Sequence, residues 1–288
     1  MKWEEIFLAK AGVGPYIPFM GYPDEVRQFH AGVADVHVFH SRAALGAAAA
    51  RRAAELIVSA IEKNGRARIM VATGNSQLDA IGALVRVEGV PWHAVEVFHM
   101  DEYVGISENH PASFRHWIRT RLADRVYPGQ VNYIEGDAAD LEGEIRRYSA
   151  LLNGAAIDVG FVGFGENGHI AFNDPHVADF DDPVVLKRVV LDEACRRQQA
   201  GEGHFVNAEA VPREAVTVTC SGLFRISAWV SCVPELRKAT AVRRALEGVV
   251  SESCPASRVR RHPNAEVFLD TESASLLSSS LEGVEALA

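Results

Sequence analysis

The chain has 288 residues, and its 29 Lys and Arg stand against 38 Asp and Glu, which gives a formal net charge of −9 at pH 7. Its 48% hydrophobic and 23% charged fractions are typical of a globular protein and exclude a disordered chain, a collagen or a long coiled coil. No apolar run of about 18 residues is present, so we expect no membrane span. The acidic balance argues against broad nucleic-acid binding, which depends on basic side chains that neutralise phosphates.

The cysteines are few and widely spaced. Cys195, Cys220, Cys232 and Cys254 form no C-x-x-C pair, which predicts reduced thiols rather than a disulfide framework or a zinc site. The N-terminus carries charges where a secretory signal needs an apolar stretch. We therefore expect a cytoplasmic protein.

The first 32 residues are rich in Gly and Pro, which interrupt helices and strands. We interpret residues 1–32 as an irregular N-terminal extension and residues 33–288 as a single domain. Residues 33–40 predict a strand, and Ser41 is expected to cap a long alanine-rich helix that runs to about residue 63. Further strands are predicted at residues 66–72 and 94–98, and helices at residues 76–88, 111–122 and 137–153.

In the second half, residues 157–163 predict a mostly apolar strand that is covered on both faces. Residues 215–219, 228–233 and 265–269 predict three more strands, and residues 235–247 predict a helix with Gly248 as its C-cap. This alternation predicts an α/β fold with a doubly wound, mostly parallel sheet and helices on both faces. Such sheets bind ligands beyond the carboxyl ends of their strands. Three unusual segments each follow a predicted strand, which points to one shared site.

The first segment is a loop of small residues, Thr73, Gly74, Asn75 and Ser76, between a predicted strand and a predicted helix. Free backbone N–H groups at the start of a helix attract anions, so this loop is a candidate phosphate site. A tight turn in which Ser76 caps the helix is the alternative. The sequence G-x-x-x-x-G-K-[ST] is absent, which excludes a Walker-type loop.

The second segment, residues 98–103, carries the adjacent carboxylates Asp101 and Glu102. In a partly desolvated cleft, one carboxylate can act as a base while the other supports the structure. A solvated loop or a helix cap is the alternative.

The third segment, residues 163–174, begins with three glycines in six residues and contains His169 and Asp174. Histidine suits proton transfer near neutral pH, and the carboxylate could orient the imidazole. An ordinary surface histidine is the alternative. The segment contains G-x-G-x-x-G, but it follows a late strand and is not continued by a helix, which argues against a dinucleotide site.

These motifs together resemble the glucosamine-6-phosphate deaminase/isomerase family, whose sister family is 6-phosphogluconolactonase. The resemblance rests on MDEYVG at residues 100–105 and GFGENGHIAFNDP at residues 163–175. The TGNS loop, His110 with Pro111 and Ser113, and Lys238–Ala239 with ALEG at residues 245–248 also fit. The resemblance covers roughly residues 34–272 and implies the Rossmann-like fold of that family.

The resemblance implies a reaction in which D-glucosamine 6-phosphate and water give D-fructose 6-phosphate and ammonia, with no metal and no organic cofactor. Asp101 is then the base that moves a proton between C2 and C1, and His169 opens the sugar ring. Asn167 and Asp174 position His169 and contact the amino group.

The same resemblance assigns the phosphate to the Thr73–Ser76 loop, to Lys238 and to an arginine. We favour Arg196, with Arg197 as the neighbouring register. Without the resemblance, Lys238 is interpreted as a solvated lysine on a helix. The expected partner is a small-molecule hexosamine phosphate, with no nucleic acid and no membrane, and homo-oligomerisation stays open. We expect no control by an activator.

The sequence also departs from the family. Asn167 stands where many members have Asp, and Asp174 stands where Glu is usual. Residues 176–206 are acidic at the start and longer near residues 201–203, and we expect them to form a lid or part of the substrate wall. Another sugar, such as galactosamine 6-phosphate, therefore stays open.

Three other functions are weaker alternatives. A lactonase acting on 6-phosphogluconolactone would use the same histidine loop, but lactonases usually have DER where this chain has Asp101, Glu102 and Tyr103. A regulator that binds sugar phosphate without catalysis is disfavoured because Asp101 and His169 are retained. A generic dehydrogenase is weaker still, since no early glycine-rich fingerprint is present.

Overall fold

A computed structural model of the protein describes residues 22–278, which include eleven strands in two sheets. The strands are β1 (Glu25–Ala31), β2 (Ala34–Phe39), β3 (Ala67–Val71), β4 (Val95–His99), β5 (Asp101–Tyr103), β6 (Gln130–Asn132), β7 (Val159–Phe161), β8 (Leu186–Val190), β9 (Glu214–Val218), β10 (Ala228–Val233) and β11 (Ala265–Asp270). The large sheet has the order β1-β2-β11-β10-β7-β3-β4-β6 and is parallel except between β1 and β2. The small antiparallel sheet has the order β5-β9-β8.

The helices of the described residues lie between these strands. They are α1 (Arg42–Asn64), α2 (Leu78–Leu84), α3 (Phe114–Ile118), α4 (Asp124–Val126), α5 (Leu141–Gly154), α6 (Glu193–Gly201), α7 (Cys220–Phe224) and α8 (Ala239–Glu247). Short 3-10 turns at Asn75–Gln77 and Leu236–Lys238 precede α2 and α8, and others lie at Trp92–Ala94, Ala208–Ala210 and Pro255–Arg261. A π turn at Arg119–Ala123 joins α3 to α4.

The large sheet has an apolar core on each face. One core includes the buried alanines of α1 and side chains of α2 and α3, and the other includes side chains of α5, α7 and α8. Successive residues of β3 divide between them, since Ile69 and Val71 belong to the first core and Met70 to the second. Both faces are therefore covered, as a mostly parallel sheet requires.

The predicted fold class, a doubly wound and mostly parallel α/β sheet, is confirmed. Side-chain caps set several helix starts: Ser41 accepts a hydrogen bond from the Ala44 N–H and begins α1, as predicted. The predicted helix at residues 137–153 begins later, because Asp140 accepts from the Gly143 N–H and caps α5.

One prediction is wrong. Residues 1–32 were expected to be irregular, but Glu25–Ala31 form β1, which pairs with β2 in the large sheet. The division of the chain at residue 32 stays a prediction, and residues 1–21 lie outside the described part. The predicted strand at residues 215–219 is confirmed as β9, which lies in the small sheet and pairs with β5 and β8.

Within residues 22–278, no helix has the length and apolar character needed to cross a bilayer. The four cysteines are buried and unbridged, in agreement with the prediction of reduced thiols.

Candidate active site

A cavity lies at the carboxyl ends of four adjacent strands, β10, β7, β3 and β4. The cavity is lined by residues of all three predicted segments and by one predicted lysine, namely Thr73, Gly74, Asn75, Ser76, Asp101, His169 and Lys238. The parallel sheet therefore brings together side chains that lie up to 165 residues apart in the chain.

Asp101 is the first residue of β5, directly after the chain leaves the large sheet at Met100. It is buried, and its carboxylate has no hydrogen-bond donor among the described residues. Burial, with a smaller contribution from the charge of Glu102, raises the pKa of the Asp101 carboxyl well above its ordinary value. A buried carboxyl with a raised pKa that faces a cavity is suited to accept a proton from a ligand.

Glu102 has a different environment although it is the next residue. Its Oε2 accepts from the Ser113 hydroxyl at 2.8 Å and the Arg115 N–H at 3.0 Å, and its Oε1 accepts from the Phe114 N–H at 3.1 Å. Burial raises the pKa of the Glu102 carboxyl, and these donors oppose the rise. Glu102 therefore holds the start of α3, which is the structural role expected for one of the two carboxylates.

His99 is a positioning residue that the sequence prediction missed. Its Nε2 accepts from the Ile134 N–H at 2.8 Å, so its Nδ1 carries the hydrogen and donates to the Asp101 carbonyl at 2.8 Å. Burial lowers the pKa of His99 to about 3, which keeps the ring neutral. Its position two residues before Asp101 is the signal that could have indicated this role.

His169 lies in a hydrogen-bonded group with Asn167 and Asp174. Its Nδ1 is 2.8 Å from Asn167 Oδ1 and 3.1 Å from Asp174 Oδ1, and the Asn167 amide donates to the same Asp174 oxygen at 2.7 Å. Because Nδ1 faces two acceptors, it carries the hydrogen and Nε2 is left as the acceptor. The Asp174 carboxylate reaches the imidazole directly although Asp is one methylene shorter than Glu.

The Asp174 carboxyl stays ionised. Its burial acts to raise the pKa, but the hydrogen bond and charge of His169 and the Asn167 amide outweigh burial and lower the pKa of Asp174 to about 2. The carboxylate therefore stabilises an imidazolium at His169 when the ring takes up a proton.

Two glycines allow this loop to pack closely against His169 and Cys254. A Cβ on Gly165 would lie 2.2 Å from His169 Cε1, so a side chain here would displace the imidazole. Gly168 has φ +91°, and a Cβ there would lie 2.5 Å from Cys254 Sγ. The glycine-rich sequence therefore allows close approach to the histidine.

Strand β9 connects the Asp101 and His169 segments. Thr217 is the cross-strand partner of Asp101, and its hydroxyl accepts from the Phe172 N–H at 3.1 Å. The Asn173 amide donates to the Val218 carbonyl at 2.8 Å. The small sheet thus fixes the base relative to the histidine loop.

One of the two expected cations, the arginine, does not line the cavity. Arg196 donates instead to the carbonyls of Val211 and Glu209, each at 3.2 Å, and Arg197 pairs with Glu193. The structure therefore does not bring Arg196 or Arg197 to the cavity, because helix α6 directs both guanidinium groups elsewhere. Arg237 lines the cavity instead, next to Lys238.

Lys238 is 4% exposed, and its ammonium has no hydrogen-bond or ion-pair partner among residues 22–278. Burial and the neighbouring Arg237 lower the pKa of Lys238. A buried ammonium without a direct ion-pair partner favours an anionic ligand. The solvated lysine considered as an alternative is thereby excluded.

One wall of the cavity comes from the segment that departs from the family pattern, through Gln198, Gln199, Glu202, His204 and Phe205. The Tyr103 hydroxyl donates to Gln199 Oε1 at 2.7 Å and holds this wall against β5. The expectation that residues 176–206 contribute to the wall is confirmed. Within the described part of the chain, no three His, Cys, Asp or Glu side chains are grouped as metal ligands would be.

Residues 40–269 match the family described as glucosamine-6-phosphate isomerases/6-phosphogluconolactonase. A protein of Bacillus thuringiensis (strain Al Hakam) named glucosamine-6-phosphate deaminase is 33% identical over 227 residues, which are 79% of this chain and 84% of that protein. A protein of the same name from Bacillus cytotoxicus is 31% identical over 228 residues, with the same coverage of 79% and 84%.

Solved structures agree with these relatives. The structure of a monomeric glucosamine-6-phosphate deaminase is 30% identical, has a TM-score of 0.74 and covers 84% of this chain and 99% of its own. The 6-phosphogluconolactonase of Trypanosoma brucei, 17% identical with a TM-score of 0.69 over 84% of this chain and 98% of its own, shares the fold. Because the family match extends over most of the sequence, the protein belongs to the glucosamine-6-phosphate isomerase/6-phosphogluconolactonase family.

Proposed function

We propose that this protein is a deaminating isomerase that converts D-glucosamine 6-phosphate and water to D-fructose 6-phosphate and ammonia. The observation that carries the proposal is that a buried base, an oriented histidine and a buried ammonium line one cavity, and that the base and the ammonium have no partner in the described part of the chain. The base is Asp101, the histidine is His169 and the ammonium belongs to Lys238. The names of the relatives at 31–33% identity support the same reaction.

The phosphate is bound at the Lys238 end of the cavity. It supplies the direct ion-pair partner that the ammonium lacks among residues 22–278, and the loop from Thr73 to Ser76 forms the adjoining wall. This end orients the sugar so that its reacting carbons lie towards the other end, where Asp101 lies.

Asp101 acts on the open-chain sugar. Its carboxylate takes the proton from C2 to give an enolamine and returns it to C1, which leaves an imine at C2. Water then adds to C2 and the C–N bond breaks, so that ammonia leaves and the ketose remains. The raised pKa of the Asp101 carboxyl brings it closer to that of the group it deprotonates, which favours transfer in both directions.

His169 acts before that step, on the closed ring. Its Nε2 exchanges a proton with the ring oxygen and so opens the pyranose, while Asp174 stabilises the charged imidazolium. Asn167 is hydrogen-bonded to both side chains and keeps them in this arrangement, but it is not among the residues that line the cavity.

The test is a coupled assay of ammonia release, without added metal, on the 6-phosphates of glucosamine, galactosamine and mannosamine. We expect turnover of at least one sugar, and a loss of about 10²-fold or more in kcat for Asp101→Asn, the size of a general-base contribution. Asp124→Asn makes the same chemical change at an exposed position of α4 and is expected to keep full activity.

Full activity of Asp101→Asn would show that the base is misassigned. Absence of ammonia from all three sugars, together with hydrolysis of 6-phosphogluconolactone above its spontaneous rate, would replace the proposed reaction with lactone hydrolysis. Binding of a hexosamine phosphate without turnover in either assay would instead indicate a sensor of sugar phosphates.

A further inference from the structure

Arg237 lines the phosphate end of the cavity but is bound there by carboxylates of the protein. Its Nη1 lies 3.2 Å from Glu166 Oε1 and 3.2 Å from Glu202 Oε1, and its Nε pairs with Glu235. Its Nη2 donates to none of the described residues. The guanidinium thus has a free terminal group beside Lys238, at the place where an anionic ligand is needed.

Glu202 is the least exposed of these three carboxylates, with 13% of its side chain accessible. Its Oε1 contacts Arg237, whereas its Oε2 is buried and has no hydrogen-bond partner among residues 22–278. A buried carboxylate oxygen without a donor is destabilising. Glu202 therefore occupies the cavity at a cost, in a position that an incoming phosphate could use.

A phosphate and Glu202 do not fit this end together. A second anion beside Lys238 would meet Glu202 at close range in a partly desolvated space, where like charges repel strongly. The planar guanidinium of Arg237 binds phosphate at least as well as carboxylate, through two parallel N–H groups. Exchange of Glu202 for the phosphate would remove both the repulsion and the unpaired oxygen.

We propose that Arg237 is the second cation of the phosphate subsite, and that Glu202 occupies Arg237 as an internal anion until the ligand phosphate displaces it. This inference rests on the proposed function in taking a phosphate as the ligand. Glu202 directly follows α6, and the Asn75 amide donates to its carbonyl at 3.3 Å, so the exchange takes place at a junction between the α6 wall and the Thr73–Ser76 loop.

The test is calorimetric titration of the full-length protein with inorganic phosphate, which has no sugar and cannot react. We expect Arg237→Gln to weaken phosphate binding about tenfold or more, the value of one charge-assisted hydrogen bond. The phosphate affinity of Arg237→Lys, which keeps the charge but not the paired donors, should lie between those of Arg237→Gln and the unmodified protein. Glu202→Gln should tighten binding several-fold because the competing anion is gone.

The matched control is Glu193→Gln, which removes the same charge from an exposed position on α6, where Glu193 pairs with Arg197. Its phosphate affinity should equal that of the unmodified protein. In the Arg237→Gln background, Glu202→Gln should no longer tighten binding, because the exchange needs the guanidinium. Thermal melting of each variant reports whether it is folded.

If Glu202→Gln tightened phosphate binding equally with and without Arg237, the exchange would be overturned, because loss of the Glu202 charge alone would then explain the gain in affinity. Unchanged affinity in folded Arg237→Gln, or no phosphate binding by the unmodified protein, would overturn the subsite. Failure of the proposed function is distinguishable. In that case no hexosamine phosphate releases ammonia, while the phosphate titrations give the expected pattern.

Discussion

At the scale of single residues, the protein places two adjacent carboxylates in opposite circumstances. Asp101 faces the cavity and has no hydrogen-bond donor among residues 22–278, whereas Glu102 accepts several hydrogen bonds from the start of α3. The same two-residue sequence therefore supplies a reactive group and a structural one. Burying the unpaired carboxylate is destabilising, and the packing of the surrounding residues offsets this effect.

This difference predicts opposite effects on stability. Because folding raises the pKa of Asp101, its stability contribution is complete below the unfolded pKa and declines as the pH rises towards the folded pKa. Asp101→Asn should therefore raise the Tm at pH 7, and the gain should shrink as the pH is lowered to 5. Glu102→Gln should instead cost about 2 kcal/mol, because its amide group would face N–H donors.

Thermal melting of both variants between pH 5 and 8 checks this prediction. A lower Tm for Asp101→Asn at pH 7 would mean that the carboxylate has a stabilising partner. An unchanged Tm for Glu102→Gln would mean that its hydrogen bonds contribute nothing to the fold.

The sequence predicted which acid and base residues line the cavity, but it predicted the wrong arginine. Asp101 and His169 follow predicted strands, and the parallel sheet brings strand ends together, so both could be located from the sequence. The sequence could not decide whether Arg196 reaches the cavity, because the direction of its side chain depends on how α6 packs. Arg237 could have been considered, since it adjoins Lys238 in the sequence.

At the scale of elements, strand β9 relates the base to the histidine loop. Long periodic strands and side-chain caps such as Ser41 were predictable because each signal is local. The strands β5 and β6, of three residues each, are too short to show a period, and tertiary pairing creates them. Membership of β9 in the small sheet depends on its partners, which the sequence does not reveal.

Thr217→Val tests the role of β9. The isosteric change removes the hydroxyl that accepts from the Phe172 N–H and leaves that donor buried without a partner. We expect kcat to fall about tenfold, since a small misplacement of reacting groups slows the chemical step, while KM changes less. Steady-state kinetics measures both constants.

Thr120→Val is the matched control, because the Thr120 hydroxyl donates to the His116 carbonyl on the α3 segment, away from the cavity lining. It should leave kcat unchanged. Equal effects of the two threonine variants on kcat would contradict a specific role for β9.

At the scale of the whole molecule, the β1–β2 hairpin crosses the predicted boundary at residue 32. Phe29 of β1 is buried in one core of the large sheet, and Glu25 of β1 lies 2.6 Å from His37 of β2. The strand is therefore part of the same folded unit as β2. An extension beginning earlier in the chain stays a prediction.

Phe29→Ala should lower the free energy of unfolding by about 3 kcal/mol, as expected for a large aromatic side chain removed from a core. Val26→Ala, at a position of the same strand that is 41% exposed, should change it by less than about 0.5 kcal/mol. Denaturant unfolding measures both. Equal, small effects would support an extension that contributes little to the fold.

The chain passes from β4 of the large sheet to β5 of the small sheet through the single residue Met100, so each sheet contributes one side of the cavity. The large sheet presents the histidine loop and the cations, whereas the small sheet and the α6 segment carry the base and the facing wall. Insertions in that wall can accumulate over evolution without shifting the ends of the parallel strands. Substrate preference can thus diverge among descendants while the histidine loop and the cations keep their positions.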